Sequence, residues 1–180
     1  MKKLILFSVF AFAMVMTTSA QSFKFGVKAG ANFSNLTVES DFGSISPDGA
    51  TSLYIGALVD FGISEKFHIQ PELLYSIEGA DDADVTFINL PIMGKYYVVD
   101  GFNVQFGPQI GFLVDAEGGT DGLKGTNFGL NFGAGYELEG GFFFDARYNL
   151  GLSNIAEEEE GFEGAELKTK GFQIGIGYRF

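Results

Sequence analysis

The 180-residue sequence has no cysteine and a single histidine. It can therefore build no disulfide framework, no thiolate metal site and no cysteine nucleophile, and it has too few imidazoles for a histidine-based metal site. Positive charge is also scarce: 11 Lys and Arg stand against 23 Asp and Glu, for a net charge of −12. Nucleic-acid affinity rests on basic side chains neutralising phosphates, so nucleic acid is excluded as a partner. Charged residues make up only 19% of the chain, and a hydrophobic share of 46% argues against disorder. What the chain has in excess is glycine, with 26, and phenylalanine, with 21.

Residues 1–20 have the layout of a secretory signal peptide. Lys2 and Lys3 are followed by an apolar run of 13 residues from Leu4 to Met16, then by the small residues Thr18, Ser19 and Ala20 before Gln21. The run is short for a spanning helix, which needs about 20 residues. We expect export, leaving residues 21–180 as one domain whose 9 basic and 23 acidic side chains sum to −14.

From Gln21 onward the hydrophobic period is two. Phe23, Phe25, Val27, Ala29, Ala31 and Phe33 alternate with small or polar residues, and the same alternation returns from Leu53 to Phe61, Phe67 to Ile77 and Ile88 to Val98. Four more such runs are Phe102 to Val114, Phe128 to Leu138, Phe142 to Leu152 and Phe172 to Phe180. Strands of this length suit a tilted crossing of a membrane. The connections alternate as well. Ser34 to Ala50, Glu78 to Asp84, Ala116 to Gly125 and Ser153 to Lys170 are long, whereas Gly62 to Lys66, Val99 to Gly101 and Glu139 to Gly140 are short. The pattern predicts an all-β fold, an eight-stranded antiparallel up-and-down transmembrane β-barrel with long loops outside and tight turns in the periplasm.

A soluble lipocalin-like barrel shares these features but turns its polar row to water. Here the polar row is mostly Gly, Asn and Gln, and its charges are balanced: Lys24, Lys28, Lys95, Arg147 and Arg179 against Asp60, Glu72, Asp115, Glu137 and Asp145. Balance is what an enclosed interior requires, because a buried unpaired charge is costly. We therefore expect a lumen charge network on this row, with Glu72 able to pair with Arg147 or Lys95, and the aromatic row against lipid. The four long loops carry 15 acidic and 3 basic residues, which makes the outer face negative. No loop has an ordered calcium-loop pattern.

Several segments together resemble the small outer-membrane β-barrel domain proteins of Bacteroidota, often grouped as PorT-like or under a porin label. They are Phe25 to Gly30 with Asn32 to Leu36, Gln70 to Ser76, Asn89 to Ile92 with Lys95 to Tyr97, Gly107 to Gly111, Arg147-Tyr148 with Gly151-Leu152, and Gly175 to Phe180. The resemblance implies the outer membrane and a barrel of OmpA/OmpX-like architecture, with Tyr178 and Phe180 as the signal read by the barrel-assembly machinery.

Pro71, Pro91 and Pro108 fall within predicted strands, where we expect bulges, since proline cannot donate to a ladder. His68 lies on the lumen row. Ser76 is about 26 Å along the same strand and cannot serve it, which leaves Ser52 as the candidate hydroxyl for a hydrolase pair. Eight strands enclose about enough room for their own side chains, whereas aqueous channels use 16 to 18. The expected function is a non-enzymatic integral outer-membrane protein, a structural scaffold or surface-loop interaction module, without metal or cofactor. Its expected partners are outer-membrane lipid, the assembly machinery and a surface molecule met through the acidic loops. A narrow channel through the glycine-rich strands and a soluble lipocalin-like carrier are the alternatives.

Overall fold

The computed structural model describes residues 23–40, 43–45, 49–80, 83–120, 122–156 and 166–180, so the expected signal peptide lies outside the described residues. Nine strands follow in order: β1 Phe23–Ser40, β2 Gly43–Ile45, β3 Ala50–Gly62, β4 Phe67–Ala80, β5 Ala83–Val99, β6 Phe102–Ala116, β7 Thr126–Glu137, β8 Phe142–Gly151 and β9 Glu166–Arg179. Every pairing is antiparallel. β1 pairs with β3 on one side and with β9 on the other, from Gly26↔Arg179 to Glu39↔Glu166, so β1 and β3 to β9 close into an eight-stranded barrel. Closure leaves these strands no free edge. β2 is a short addition paired to the far end of β1.

The period of two decides which way each side chain points. The apolar row faces out: Phe25, Leu53, Ile55, Leu73, Ile92, Phe106, Phe128, Phe142 and Ile174 are all exposed. From Phe23 to Phe33 is ten residues of β1, which at about 3.4 Å each and a tilt of roughly 40° spans a height of about 26 Å, matching the apolar band of an outer-membrane barrel. A soluble carrier would need these rows inside, so that alternative is excluded.

The two ends differ. At the turn end Asp100 and Gly101 alone link β5 to β6, with Gly101 at φ 77°, and Gly140 and Gly141 (φ 98° and 95°) turn β7 into β8. Such left-handed positions are adopted by glycine without steric cost. At the loop end the connections are partly ordered. Leu123 bridges to Ala156, Lys124 N donates to Ile155 O at 2.7 Å, and Ile155 N donates to Leu167 O at 2.9 Å. Below them Val85, Phe87 and Ala116 form a buried apolar knot with Leu113 and Leu123.

Three expectations need correction. The second long connection is absent, because β4 and β5 run on until only residues 81 and 82 separate them, and part of the first is strand up to Ser40. The prolines are not at bulges: register shifts fall at Thr86/Phe87 and Tyr97/Val99. Pairing keeps its register past Pro71 (Leu58↔Glu72, then Phe61↔Ile69) and past Pro91 and Pro108 (Pro91↔Gln109, then Gly94↔Phe106). The ladder lapses for two residues beside each proline instead, as a missing N–H donor allows.

Candidate functional site

The barrel interior is the site the sequence singles out, and β4 shows how it is built. His68, Gln70, Glu72, Leu74, Ser76 and Glu78 are alternate residues of one strand, so all face the lumen. On the opposite wall β8 presents Asp145 and Arg147. Arg147 crosses the lumen and grips Glu72 with both ends of its guanidinium, Nη1 to Oε2 at 2.8 Å and Nη2 to Oε1 at 2.7 Å. Lys28 Nζ lies 2.6 Å from Asp145 Oδ2 and 3.7 Å from Glu72 Oε2, while Arg147 also reaches Asp145 at 3.2 Å. Two cations and two anions thus form a central set with no net charge. All four are buried, and forked charge-assisted bonds of this kind are what offset the desolvation of such groups.

A second neutral set sits nearer the turn end. Lys95 Nζ is 2.7 Å from Glu137 and 3.4 Å from Asp60, and Arg179 is 2.5 Å from Glu137 and 3.2 Å from Asp60. Tyr97 donates to Glu137 and His68 Nδ1 bonds to Asp60. Gln70 ties the sets together: its Nε2 donates to Glu72 at 2.6 Å and its Oε1 accepts from Lys95 at 3.3 Å.

Lys28, Asp60, Glu72, Lys95, Glu137, Asp145, Arg147 and Arg179 are all brought together in these two sets. Lys24 and Asp115 are not; both are exposed. Lys24 lies at the turn-end rim. Asp115 follows the register shift at Thr86/Phe87, where Val114 has no partner and the facing reverses, so that Ala116 turns inward in its place. Lys95 meets Glu72 only through Gln70. Ser52 spends its hydroxyl on Ile77 O at 2.5 Å, at the loop end, far from His68 at the turn end. The terminal aromatics Tyr178 and Phe180 stack edge to face at 5.2 Å beside Phe142, and Phe180 N donates to Phe25 O at 2.8 Å.

Beside Gly30 of β1 and Gly175 and Gly177 of β9 the space of the missing side chain is taken. A Cβ at Gly175 would lie 2.0 Å from Tyr54 Oη, at Gly30 2.7 Å from the Tyr54 ring, and at Gly177 2.2 Å from Phe143. The missing side chains make room for these two buried rings. Lys28 stands 5.3 Å from the Tyr54 centroid and the Arg179 guanidinium 4.8 Å from that of Phe143.

Sequence reading missed a polar layer at the loop end. Asn32 donates to Ser76 Oγ at 2.9 Å and to Ile77 O at 2.6 Å, and accepts from Gln173 at 2.7 Å. Ser34 Oγ accepts from Gly79 N at 2.8 Å and donates to Gly79 O at 3.1 Å. These bonds draw the upper part of β4 towards β1, across the barrel mouth. Glu78, counted with the acidic loops, is instead buried and accepts from Asn89 at 2.6 Å and Ser76 at 3.0 Å. The alternation of β4, followed two residues further, would have placed it inside.

Two solved structures share this architecture. Neisserial surface protein A is 15% identical, with a TM-score of 0.50 over 87% of this chain and 97% of its own. The attachment invasion locus protein Ail of Yersinia pestis is 13% identical, with a TM-score of 0.50 over 87% of this chain and 98% of its own. At such identities the likeness is one of fold. No curated protein matches the sequence. The family described as "Outer membrane protein beta-barrel domain" matches residues 5–180, nearly the whole chain. This closed barrel, with its apolar belt outside and its ion pairs inside, is an outer-membrane protein and belongs to that family.

Proposed function

We propose that this protein is a non-enzymatic membrane scaffold that works through its loop end, where it meets a molecule outside the cell. The observation that carries this reading is the filled lumen. Two neutral ion-pair sets, Tyr54 and Phe143 fill the middle of the lumen, and a crevice at its loop end measures about 10 Å³, the lower limit for holding a single water. A conducting path would need a continuous polar route, and a histidine-serine hydrolase would need Ser52 beside His68, whereas Ser52 bonds Ile77 O at the loop end. The loop end, by contrast, is tied together by the Leu123 to Ala156 bridge and the apolar knot beneath it, at the base of the connections whose sequence is acidic. Export, lipid insertion and assembly through the exposed terminal Phe180 complete this reading.

The test has two arms. The mature chain, folded in detergent and inserted into a planar bilayer, is expected to be electrically silent. Loop-replaced variants displayed on cells are expected to lose binding to the surface partner while the barrel stays folded. Stable conductance abolished by mutating Lys95 or Arg147 would overturn the proposal in favour of a channel.

A further inference from the structure

Positive charge at the loop end is confined to one side of the rim. The long connections hold three basic residues, Lys124, Lys168 and Lys170. Lys124 N donates to Ile155 O and Ile155 N donates to Leu167 O. Lys124 therefore stands two strand spacings, about 10 Å, from the stretch of β9 that carries the other two. The facing of β9 is set by alternation: Thr169 and Gln173 are buried, whereas Phe172, Ile174 and Ile176 are exposed. Lys168 and Lys170 thus continue the lipid-facing row beyond Phe172.

Phe172 pairs with Phe33 of β1 and with Tyr148 of β8, and all three rings are exposed. An aromatic girdle of this kind marks the edge of the apolar band. Lys170 is the next outward residue towards the loop end, between Asn35 and Leu150. Among the described residues the Lys124 and Lys170 side chains make no hydrogen bond or ion pair. A lysine at this depth lays its methylenes along apolar surface and lifts its ammonium to the level of the headgroups. We propose that Lys170 and Lys124, with Lys168 beside them, bind the phosphate of an anionic lipid headgroup in the surrounding leaflet. The lysine row is continuous with the belt that acyl chains cover, whereas the acidic connections repel a free anion arriving from water. This site stands apart from the surface partner proposed above.

The test places the folded mature chain in phosphatidylcholine vesicles containing spin-labelled phosphatidic acid or spin-labelled phosphatidylcholine, and compares the motionally restricted fractions. The wild type is expected to favour phosphatidic acid severalfold. The Lys124→Gln, Lys170→Gln double variant is expected to lose most of that preference. Lys170→Arg, and Lys66→Gln at the exposed turn end, are expected to keep it, with folding checked by heat-dependent gel mobility. Equal preference in wild type and the double variant would overturn the proposal. So would a preference that emerges only when residues 157–165 are replaced with a Gly-Ser linker, which would make the acidic run the occupant of these lysines. A preference abolished by inorganic phosphate at constant ionic strength would overturn it too, by assigning the site to the free anion.

Discussion

Arg147 and Glu72 face each other from opposite walls of the barrel and meet through two parallel hydrogen bonds of 2.8 and 2.7 Å. They are 75 residues apart in sequence, on β8 and β4, and their pairing spans the lumen. Both carry further contacts, Arg147 Nε to Gln105 at 3.1 Å and Glu72 from Gln70 at 2.6 Å, so neither can swing aside without breaking several bonds.

Removing one partner should cost far more than removing both. Arg147→Ala leaves Glu72 with Lys28 at 3.7 Å and a central set of net −1, a buried imbalance worth about 3–5 kcal/mol. The Arg147→Met, Glu72→Leu double variant restores neutrality and should recover a large part of that loss. Urea unfolding followed by circular dichroism measures both. Single losses that merely add in the double variant would show that the pair is not coupled.

The glycines of the lumen wall give a second expectation. A Cβ at Gly30 would stand 2.1 Å from Ile174 O and 2.7 Å from the Tyr54 ring, whereas at Gly125 it would meet nothing within 4 Å. Gly30→Ala should destabilise the barrel by about 1–3 kcal/mol through overpacking, and Gly125→Ala should be neutral within about 0.5 kcal/mol. Heat-dependent gel mobility of the two variants compares them directly.

Alternation in the sequence was enough to read the eight strands of the barrel and its outward aromatic face, because parity along a strand is a local property. It failed where parity changes or where elements outlast their hydrophobic pattern. Asp115 was misplaced because nothing in Phe112-Leu113-Val114-Asp115 announces the unpaired Val114. Glu78 was assigned to a loop because polar residues after Ile77 look like a turn, although β4 continues to Ala80. The partners of each charge were not legible either. Glu72 has Arg147, Lys28 and Lys95 all facing the same lumen, and only the shear between strands chooses Arg147 and leaves Lys95 to Glu137.

The fourth connection separates surface function from barrel stability. Asn154 Oδ1 accepts from Ala156 N at 3.0 Å and Leu167 N at 2.9 Å, which closes the base of the loop before the acidic run from Glu157 begins. Replacing residues 157–165 with a short Gly-Ser linker should leave the urea midpoint unchanged, because these anchors remain and a longer or shorter loop changes closure entropy only slightly. Partner capture on whole cells should fall. A collapsed midpoint would mean that the loop holds up the barrel.

Depth in the membrane can be read from the outward row of β9. Ile176 is exposed and lies between Ile174 and Tyr178 on that row, four residues from the terminal Phe180, which places it inside the apolar band. Phe23 begins β1 at the turn-end rim. An arginine at Ile176 must reach water across lipid, at a cost of about 2–4 kcal/mol near the midplane, whereas one at Phe23 can remain in the interface for about 0–1 kcal/mol. Folding Ile176→Arg and Phe23→Arg into vesicles across a urea series should reproduce that difference. Equal costs would place the two residues at the same depth, contradicting the tilt that brings the ends of β1 and β9 to a common rim.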